Sequence, residues 1–175
     1  AVDGMNLTVT TAALVRDKKA VVYVEDADAP SRMRFMRKDY TQQKLATGYN
    51  TVEFYDGDNP FETSVYGTTS LNVYKNDELV TPSYAGAKSY SLTLADNDVV
   101  KLFFTKTPAQ VEATINVDGD AEKLNVTKDR IVSVTNFASA LSCLEGTEVA
   151  FSTADGYAIK AIDMNGTAVT AETDG

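Results

Sequence analysis

The sequence contains no histidine and no tryptophan, and it has a single cysteine among its 175 residues. Without histidine, the chain has neither a Ser-His-Asp or Cys-His triad nor an imidazole general base. Zinc sites that use histidine are excluded, and one cysteine is too few for a cysteine-only site. Because Cys143 has no second thiol in the sequence, no disulfide forms within the chain.

Long apolar runs and an excess of basic residues are also missing. No segment approaches the roughly 20 consecutive apolar residues that a membrane helix requires. The first residues, AVDGMNLTVTT, lack the basic and apolar regions of a secretory signal peptide. A cytoplasmic protein, a mature secreted protein and a trimmed fragment all fit this start. The net charge of −9 is unfavourable for nonspecific binding to nucleic acid, which requires a positive surface.

What the sequence does contain is period-two alternation of β-branched and aromatic residues with polar ones, which predicts β-strands. The predicted strands cover residues 21–24, 51–54, 71–74, 90–94, 114–117, 123–126, 131–134, 148–151 and 158–162. Turn pairs such as Asn76-Asp77 and Asn165-Gly166 separate them, and such pairs tolerate positive φ. The sequence therefore predicts an all-β fold of antiparallel β-sandwich modules in tandem, with little helix. Helical turns are predicted only at 137–144 and 40–46.

The strand pattern also indicates an internal repeat. The segment 73–81, with its Asn76 turn, aligns with 162–170 and its Asn165 turn. The order of matching segments is preserved, although generic β patterning is an alternative explanation. We predict an N-terminal strand segment at 1–19, a first module at 20–110 and a related second module at 111–175, with an incomplete second module as an alternative.

In this division into modules, the N-terminal and C-terminal segments of the chain contain different strands. Residues 5–11 (MNLTVTT) resemble the last strand of a module, whereas the second module stops after its hairpin. Two explanations remain open: the chain is a slice of a longer tandem array, or its N-terminal strand pairs elsewhere. The second explanation predicts strand addition to a neighbouring molecule, which protects an exposed sheet edge.

Acidic turns are the first candidate binding sites. Asp56 and Asp58 flank Gly57 in one such turn and offer closely spaced oxygen ligands of the kind that Ca²⁺ prefers. No glutamate completes an EF-hand loop, and Asp in turns commonly bonds the local backbone instead. We predict no metal and no cofactor, with Ca²⁺ kept as an alternative.

Tyrosines are concentrated in the first predicted module, which holds eight of the nine. Tyr49, Tyr55 and Tyr84 lie at or beside predicted turns, where exposed rings stack on glycans or anchor protein partners. Together with Asp56 and Asp58, they form the predicted ligand-binding set. The alternative is that they are ordinary strand tyrosines with buried rings.

Basic residues are concentrated in residues 1–44, which hold eight basic and six acidic residues. Arg32 and Arg34 alternate with Met33 and Phe35, so a strand here places both arginines on one face. With Arg37, they are predicted to dock on a neighbouring module or partner with an acidic surface. The alternative is a solvated outer strand face.

Catalysis by paired carboxylates does not require histidine, but nothing singles out two of the 25 acidic residues. The chain is therefore predicted not to be an enzyme. Cys143 lies between Leu141 and Leu144 and is predicted to be a buried small hydrophobe rather than a reactive thiol.

Two motifs carry a resemblance to a known family. The pattern Leu-x-x-Gly-x-Asn-Thr-Val-x-Phe at 45–54 is followed by Asp56-Gly57 and a Val-Tyr-Lys-Asn-Asp hairpin, and 156–166 reads GYAIKAIDMNG. Over residues 20–175, the chain resembles tandem Ig-like β-sandwich repeats of large secreted or surface-anchored proteins of Gram-negative gut bacteria. The resemblance implies an extracytoplasmic spacer or adhesion module and transfers no catalytic residues.

The predicted function is a non-enzymatic extracellular module for structure, adhesion or binding within a larger surface protein. One alternative is a carbohydrate-binding module of a polysaccharide-degrading system. Another is a self-assembling fibre or virion subunit that exchanges strands. The expected partners are neighbouring modules or other chains, with glycans as a further alternative, and neither nucleic acid nor membrane insertion is expected.

Overall fold

A computed structural model describes residues 8–12, 16–25, 34–37, 41–55, 60–64, 71–80, 89–104, 106–137 and 139–170. Within these ranges the fold is all-β, and the only helical element is one short 3-10 turn. The strands are β1 Lys18–Val24, β2 Arg34–Met36, β3 Gln42–Lys44, β4 Gly48–Phe54, β5 Pro60–Ser64, β6 Asn72–Lys75, β7 Glu78–Leu79, β8 Ser89–Thr93, β9 Val99–Phe103, β10 Gln110–Ala113, β11 Leu124–Lys128, β12 Val132–Val134, β13 Leu141–Leu144, β14 Val149–Thr153, β15 Ile162–Met164 and β16 Thr167–Val169. The 3-10 turn is Ala121–Lys123.

A five-stranded sheet forms the largest element, with the order β4-β1-β9-β6-β7. β1 pairs antiparallel with β4 and parallel with β9, and β9 pairs antiparallel with β6. β9 therefore lies in the middle of the sheet, between two strands that precede it in sequence by many residues.

The two central strands are buried on both faces. All five residues of β9 are buried, and the sequence at 99–104 reads VVKLFF without the alternation of a half-exposed strand. β1 contains the similar run Val21 to Val24, of which only Tyr23 is partly exposed. Continuous apolar runs are typical of strands covered on both sides. Both faces of this sheet must therefore be packed against other parts of the chain.

One face of the sheet holds the main hydrophobic core. Phe35 of β2 packs against Phe54 of β4, with 6.2 Å between the ring centroids, and Leu92 of β8 belongs to the same cluster. β2 and β8 thus contribute to the other side of this core through Phe35 and Leu92. Its buried members are Ala20, Val22, Val24, Phe35, Leu45, Val52, Phe54, Val73, Leu92, Leu94, Val100, Leu102 and Phe104.

The later part of the chain forms three small antiparallel sheets. β10 pairs with β13, β11 lies between β12 and β14, and β15 pairs with β16. Of these strands, β13 contributes two buried residues and β11 one, whereas all of β10 and β16 is exposed. The division into modules at 20–110 and 111–175 stays a prediction.

The predicted turn chemistry is confirmed at both aligned hairpins. Asn76 and Asp77 join β6 to β7 with φ of 52° and 65°, and Asn165 and Gly166 join β15 to β16 with φ of 54° and 80°. Positive φ at both central residues is the conformation of a type I′ turn, which suits the twist of two paired strands.

Both helical predictions are wrong. Residues 141–144 of the segment 137–144 form β13, which pairs with β10 so that Cys143 lies opposite Val111. Residues 42–44 of the segment 40–46 form β3, which pairs with β2. In the first case, Phe137, Leu141 and Leu144 have helical spacing, but pairing with β10 overrides that local preference.

Two predicted strands and the N-terminal strand also differ from the structure. Residues 114–117 lie in a loop after β10, and residues 158–161 form no strand before β15. Alternation is a weak signal where no neighbouring strand is available to accept the backbone hydrogen bonds. Of the predicted strand at 5–11, residues 8–11 form no strand and are exposed, and the remainder lies outside the described residues.

Candidate functional site

The second face of the five-stranded sheet carries a row of polar and aromatic residues. In the strand register, Tyr49 of β4 lies opposite Tyr23 of β1, Tyr23 opposite Lys101 of β9, and Lys101 opposite Tyr74 of β6. Residues paired in this way point to the same side of a sheet. A lysine thus lies between tyrosines in the middle of a face that the later strands cover.

Lys101 is the most deeply buried cation of the described residues, with 3% of its side chain exposed. Its Nζ donates to Asp77 Oδ1 at 2.9 Å and to Thr147 Oγ1 at 2.7 Å, and it lies 3.0 Å from Asp129 Oδ1. An ammonium group has three donors, so these three acceptors satisfy it fully. We call Lys101, Asp77, Asp129, Thr147 and Lys128 the Lys101 cluster.

Turn geometry brings the two aspartates of the cluster together. Asp77 lies at the tip of the β6–β7 hairpin, and Asp129 lies in the turn between β11 and β12 with φ of 53°. Asp129 N–H donates to the carbonyl of Glu148, which anchors this turn on the start of β14. Aspartate tolerates such conformations better than most residues because its short side chain bonds locally. Here both side chains instead reach Lys101.

Asp77 links two lysines. Its Oδ2 accepts a hydrogen bond from Lys128, while its Oδ1 accepts from Lys101. Burial alone would raise the pKa of Asp77, but the hydrogen bonds from Lys128 and Lys101 outweigh burial and hold that pKa below its ordinary value. With Asp129 included, the cluster contains two cationic and two anionic side chains, so its charges balance.

Asp129 is completely buried, at 0% exposure. Its Oδ1 accepts from the Tyr49 hydroxyl at 2.8 Å and contacts Lys101, but its Oδ2 has no hydrogen-bond partner among the described residues. A buried carboxylate oxygen without a partner is costly, because it has lost its hydration without replacement.

Tyr49 connects the five-stranded sheet to two of the later strands. Its hydroxyl donates to Asp129 and accepts from the Glu148 N–H at 3.1 Å. Its ring lies 5.0 Å from the Tyr23 ring, and the Arg130 guanidinium lies 4.9 Å from its centroid. Burial raises the pKa of Tyr49, and the hydrogen bond with Asp129 raises it further, so the hydroxyl stays protonated over the whole physiological range.

An apolar cluster flanks the charged one. Phe103 lies 5.8 Å from both Tyr23 and Tyr74, and Leu144 of β13 packs among these rings. Leu144 is 1% exposed and Phe103 is 2% exposed. The second face of the five-stranded sheet is therefore covered by β13 through apolar contacts and by the β11–β12 turn through charged contacts.

The structure describes only part of the predicted site. Tyr49 is half-buried in the contacts given above, and Tyr55 is partly exposed immediately after β4. Asp56, Asp58, Tyr84 and Arg32 lie outside the described residues, and Arg34 is described only as backbone of β2. Ligand binding by this set stays a prediction.

Arg37 is engaged within the fold. Its Nε donates to the Glu53 carbonyl at 2.7 Å and its terminal nitrogen donates to Gln43 Oε1 at 2.9 Å. Its guanidinium also lies 5.1 Å from the Phe35 ring, and the residue is 8% exposed. These contacts tie β4 to β3, and they leave little of the side chain for a partner.

Cys143 is buried at 5% exposure, as the sequence predicts, and burial raises the pKa of its thiol. A raised pKa leaves little thiolate, which is the reactive form.

In the part of the chain that the structure describes, no helix is long and apolar enough to cross a membrane. The described residues likewise include no group of three or more acidic or cysteine side chains arranged to hold a metal ion.

The Lys101 cluster was not predicted from the sequence. The available signal was the lone lysine in VVKLFF, since a charge within a doubly buried strand requires opposite charges nearby. The partners were not recognisable, because Asp77 and Asp129 occupy turns in which aspartate is common.

Comparisons with protein-family models, with curated proteins and with solved structures find no match to this chain.

Replacing Tyr49 with phenylalanine is expected to lower the free energy of unfolding by about 1–3 kcal/mol, because Asp129 loses a donor and the Glu148 N–H loses its acceptor. Urea unfolding followed by circular dichroism measures this loss. Tyr157→Phe is the matched control, because Tyr157 is 51% exposed, and it should change stability by less than about 0.5 kcal/mol. Equal effects of the two substitutions would contradict the role given to the Tyr49 hydroxyl.

Acid is expected to lower the free energy of unfolding, because it protonates Asp77. Its pKa is lower in the folded chain than in the unfolded chain, so the unfolded state binds the proton more readily. The stabilisation is therefore complete above the ordinary pKa of about 3.9 and is lost as the pH falls through the lower, folded value. Asp98, whose burial is outweighed by hydrogen bonds from Lys75, Ala95 N–H and Asn76, also has a lowered pKa and adds to the same trend.

Urea unfolding at a series of pH values between about 2 and 6 measures this dependence. The Asp77→Asn variant should show a shallower decline with acid. An unchanged slope in that variant would show that Asp77 does not contribute.

Proposed function

We propose that the chain is a non-enzymatic structural module of a larger extracellular protein, in which the later strands are held in one fixed position on the five-stranded sheet. The observation that carries this proposal is the Lys101 cluster. A fully bonded, charge-balanced lysine at the centre of a covered sheet face permits only one docking of the β11–β12 turn, since any shift leaves buried charges unpaired.

A spacer or adhesion module must transmit a defined orientation along a surface protein. An apolar contact alone tolerates sliding, whereas the cluster combines apolar packing by Leu144 with directional bonds from Lys101 and Tyr49. The all-β architecture, with sheets on both sides of a shared core, is consistent with the β-sandwich repeats that the motifs at 45–54 and 156–166 resemble. Extracytoplasmic location and adhesion are part of the proposal on the same ground.

Native-state hydrogen exchange, read by mass spectrometry, tests the rigid connection. Amides of β11 and β14 should exchange through the same opening as amides of β1 and β9, because the Lys101 cluster joins these strands. In Lys101→Met, the amides of β11 and β14 should exchange faster than those of β1 and β9. Independent exchange of the two sets in the wild-type chain would overturn the proposal.

A glycan array, probed with and without Ca²⁺, distinguishes a structural spacer from a glycan-binding module. A structural module gives no specific signal under either condition. Specific binding that is lost in Tyr55→Ala would instead favour the carbohydrate-binding alternative, since Tyr55 is partly exposed.

Self-assembly is the second candidate function, and exposed apolar side chains favour it. Met164 is 65% exposed, Tyr157 is 51% exposed, and Ile159 and Val169 are each 40% exposed. These residues all lie between 157 and 169, around the β15–β16 hairpin. Light scattering over a wide concentration range tests this candidate, and a monomer at the highest concentration would contradict it.

A further inference from the structure

We propose that Lys101 and Asp129 condense to an amide, so that the Lys101 cluster is a self-modification site in which the chain forms an intramolecular isopeptide bond. This inference goes beyond the proposed structural role, which requires only that the two parts stay in contact. It also gives a function to Asp129 Oδ2, a buried carboxylate oxygen without a hydrogen-bond partner in the described part of the chain.

The two reacting groups are already in contact and shielded from water. Lys101 Nζ lies 3.0 Å from Asp129 Oδ1, and their side chains are 3% and 1% exposed. The new bond would join Nζ to Cγ of this same carboxyl group, so the contact holds the amine beside the group that it attacks. Exclusion of water also protects the amide from hydrolysis and reduces the cost of exchanging an ion pair for a neutral amine and acid.

The neighbouring groups suit the two remaining roles in such a reaction. The Tyr49 hydroxyl donates to Asp129 Oδ1 at 2.8 Å, so it stabilises the negative charge that develops on this oxygen during attack. Asp77 Oδ1 accepts from Lys101 Nζ at 2.9 Å, which places it to take a proton from the attacking nitrogen. Lys128 bonds the other oxygen of Asp77 and fixes its orientation.

The step balances without any further reagent. One proton passes from the Lys101 ammonium to the Asp129 carboxylate and is held on Oδ2, the oxygen without a hydrogen-bond partner among the described residues. The neutral amine then attacks Cγ of Asp129. Asp77 takes a second proton from nitrogen and delivers it to Oδ2. The Cγ–Oδ2 bond breaks, water leaves, and Oδ1 becomes the amide oxygen. The amide then joins β9 directly to the β11–β12 turn.

Intact mass spectrometry of the denatured full-length chain tests the proposal without any variant. The measured mass should be lower than the sequence mass by one water molecule. In Lys101→Arg, which keeps the positive charge but not the amine, the mass should equal that of its own sequence. A wild-type mass equal to the sequence mass would overturn the inference, and it would leave the hydrogen-exchange test of the proposed function unaffected.

A tryptic digest locates the bond. An amide at Lys101 blocks cleavage after that residue, so residues 89–106 should appear as one peptide joined to the dipeptide 129–130. A cross-linked product that instead contains residues 76–88 would place the bond on Asp77 and overturn the assignment of Asp129. Tyr49→Phe should slow formation of the branched peptide in freshly refolded protein, and an unchanged rate would remove Tyr49 from the mechanism.

Discussion

Lys101→Met is expected to lower the free energy of unfolding by about 3–5 kcal/mol, because removal of one partner from a buried ion pair leaves the remaining charges without compensation. Two carboxylates, those of Asp77 and Asp129, then share a buried region with Lys128 as the single nearby cation of the cluster. Methionine has similar length to lysine and fills the space, so the loss reports charge rather than volume. Urea unfolding followed by circular dichroism measures it.

Lys19→Met is the matched control for this substitution. Lys19 forms an ion pair with Glu53 across β1 and β4, but both side chains are more than half exposed. Such pairs contribute little, so the expected change is below about 1 kcal/mol. Adding Asp129→Asn to Lys101→Met should recover part of the stability, because the second change removes one uncompensated charge. No recovery in the double variant would argue that packing, not charge, determines the loss.

The intact masses of the wild-type chain and of Lys101→Met should be measured alongside their urea unfolding. A Lys101–Asp129 amide adds a covalent constraint on the unfolded chain, and its loss in Lys101→Met would add to the effect of the charges.

Phe103→Ala is expected to cost about 3–5 kcal/mol, the usual range for truncation of a buried phenylalanine. Phe103 packs between Tyr23 and Tyr74 and against Leu144, so its removal opens a cavity where the later strands meet the five-stranded sheet. We therefore expect the loss of stability to be accompanied by faster exchange of β13 amides in native-state hydrogen exchange.

Leu79→Ala provides the control for Phe103→Ala. Leu79 lies on β7 at the edge of the same sheet but is 59% exposed, so its truncation should change stability by less than about 0.5 kcal/mol. A loss in Leu79→Ala as large as that in Phe103→Ala would contradict the packing described for this face.

Alternation in the sequence predicts a strand correctly where a neighbouring strand pairs with that segment. The predicted strand at 51–54 lies within β4, and that at 123–126 largely overlaps β11. The helix prediction at 137–144 is wrong because the spacing of its apolar residues fits a helix, whereas its pairing with β10 depends on a distant segment. Local sequence carries no information about such a partner.

The candidate site was largely beyond prediction from sequence. The sequence predicts Tyr49 as a ligand-binding residue, but it does not predict the hydrogen bonds of its hydroxyl with Asp129 and Glu148. Lys101 has apolar surroundings in the sequence that are unusual for lysine, but these surroundings do not identify its charged partners. To recognise the cluster, one must know that the tips of two separate turns meet on one sheet face, and this is a property of the tertiary fold.

The parallel pairing of β1 with β9 also has a consequence for the order in which the chain folds. β9 fills the position between β1 and β6, so the five-stranded sheet closes only after residues 99–103 have joined strands made much earlier in synthesis. Contacts between residues this far apart in sequence slow folding, because the intervening chain must be closed into a loop first. Until then, the apolar edges of β1 and β6 are open to pairing with other chains. The growing chain is therefore most prone to pairing with other chains just before its ninth strand is complete.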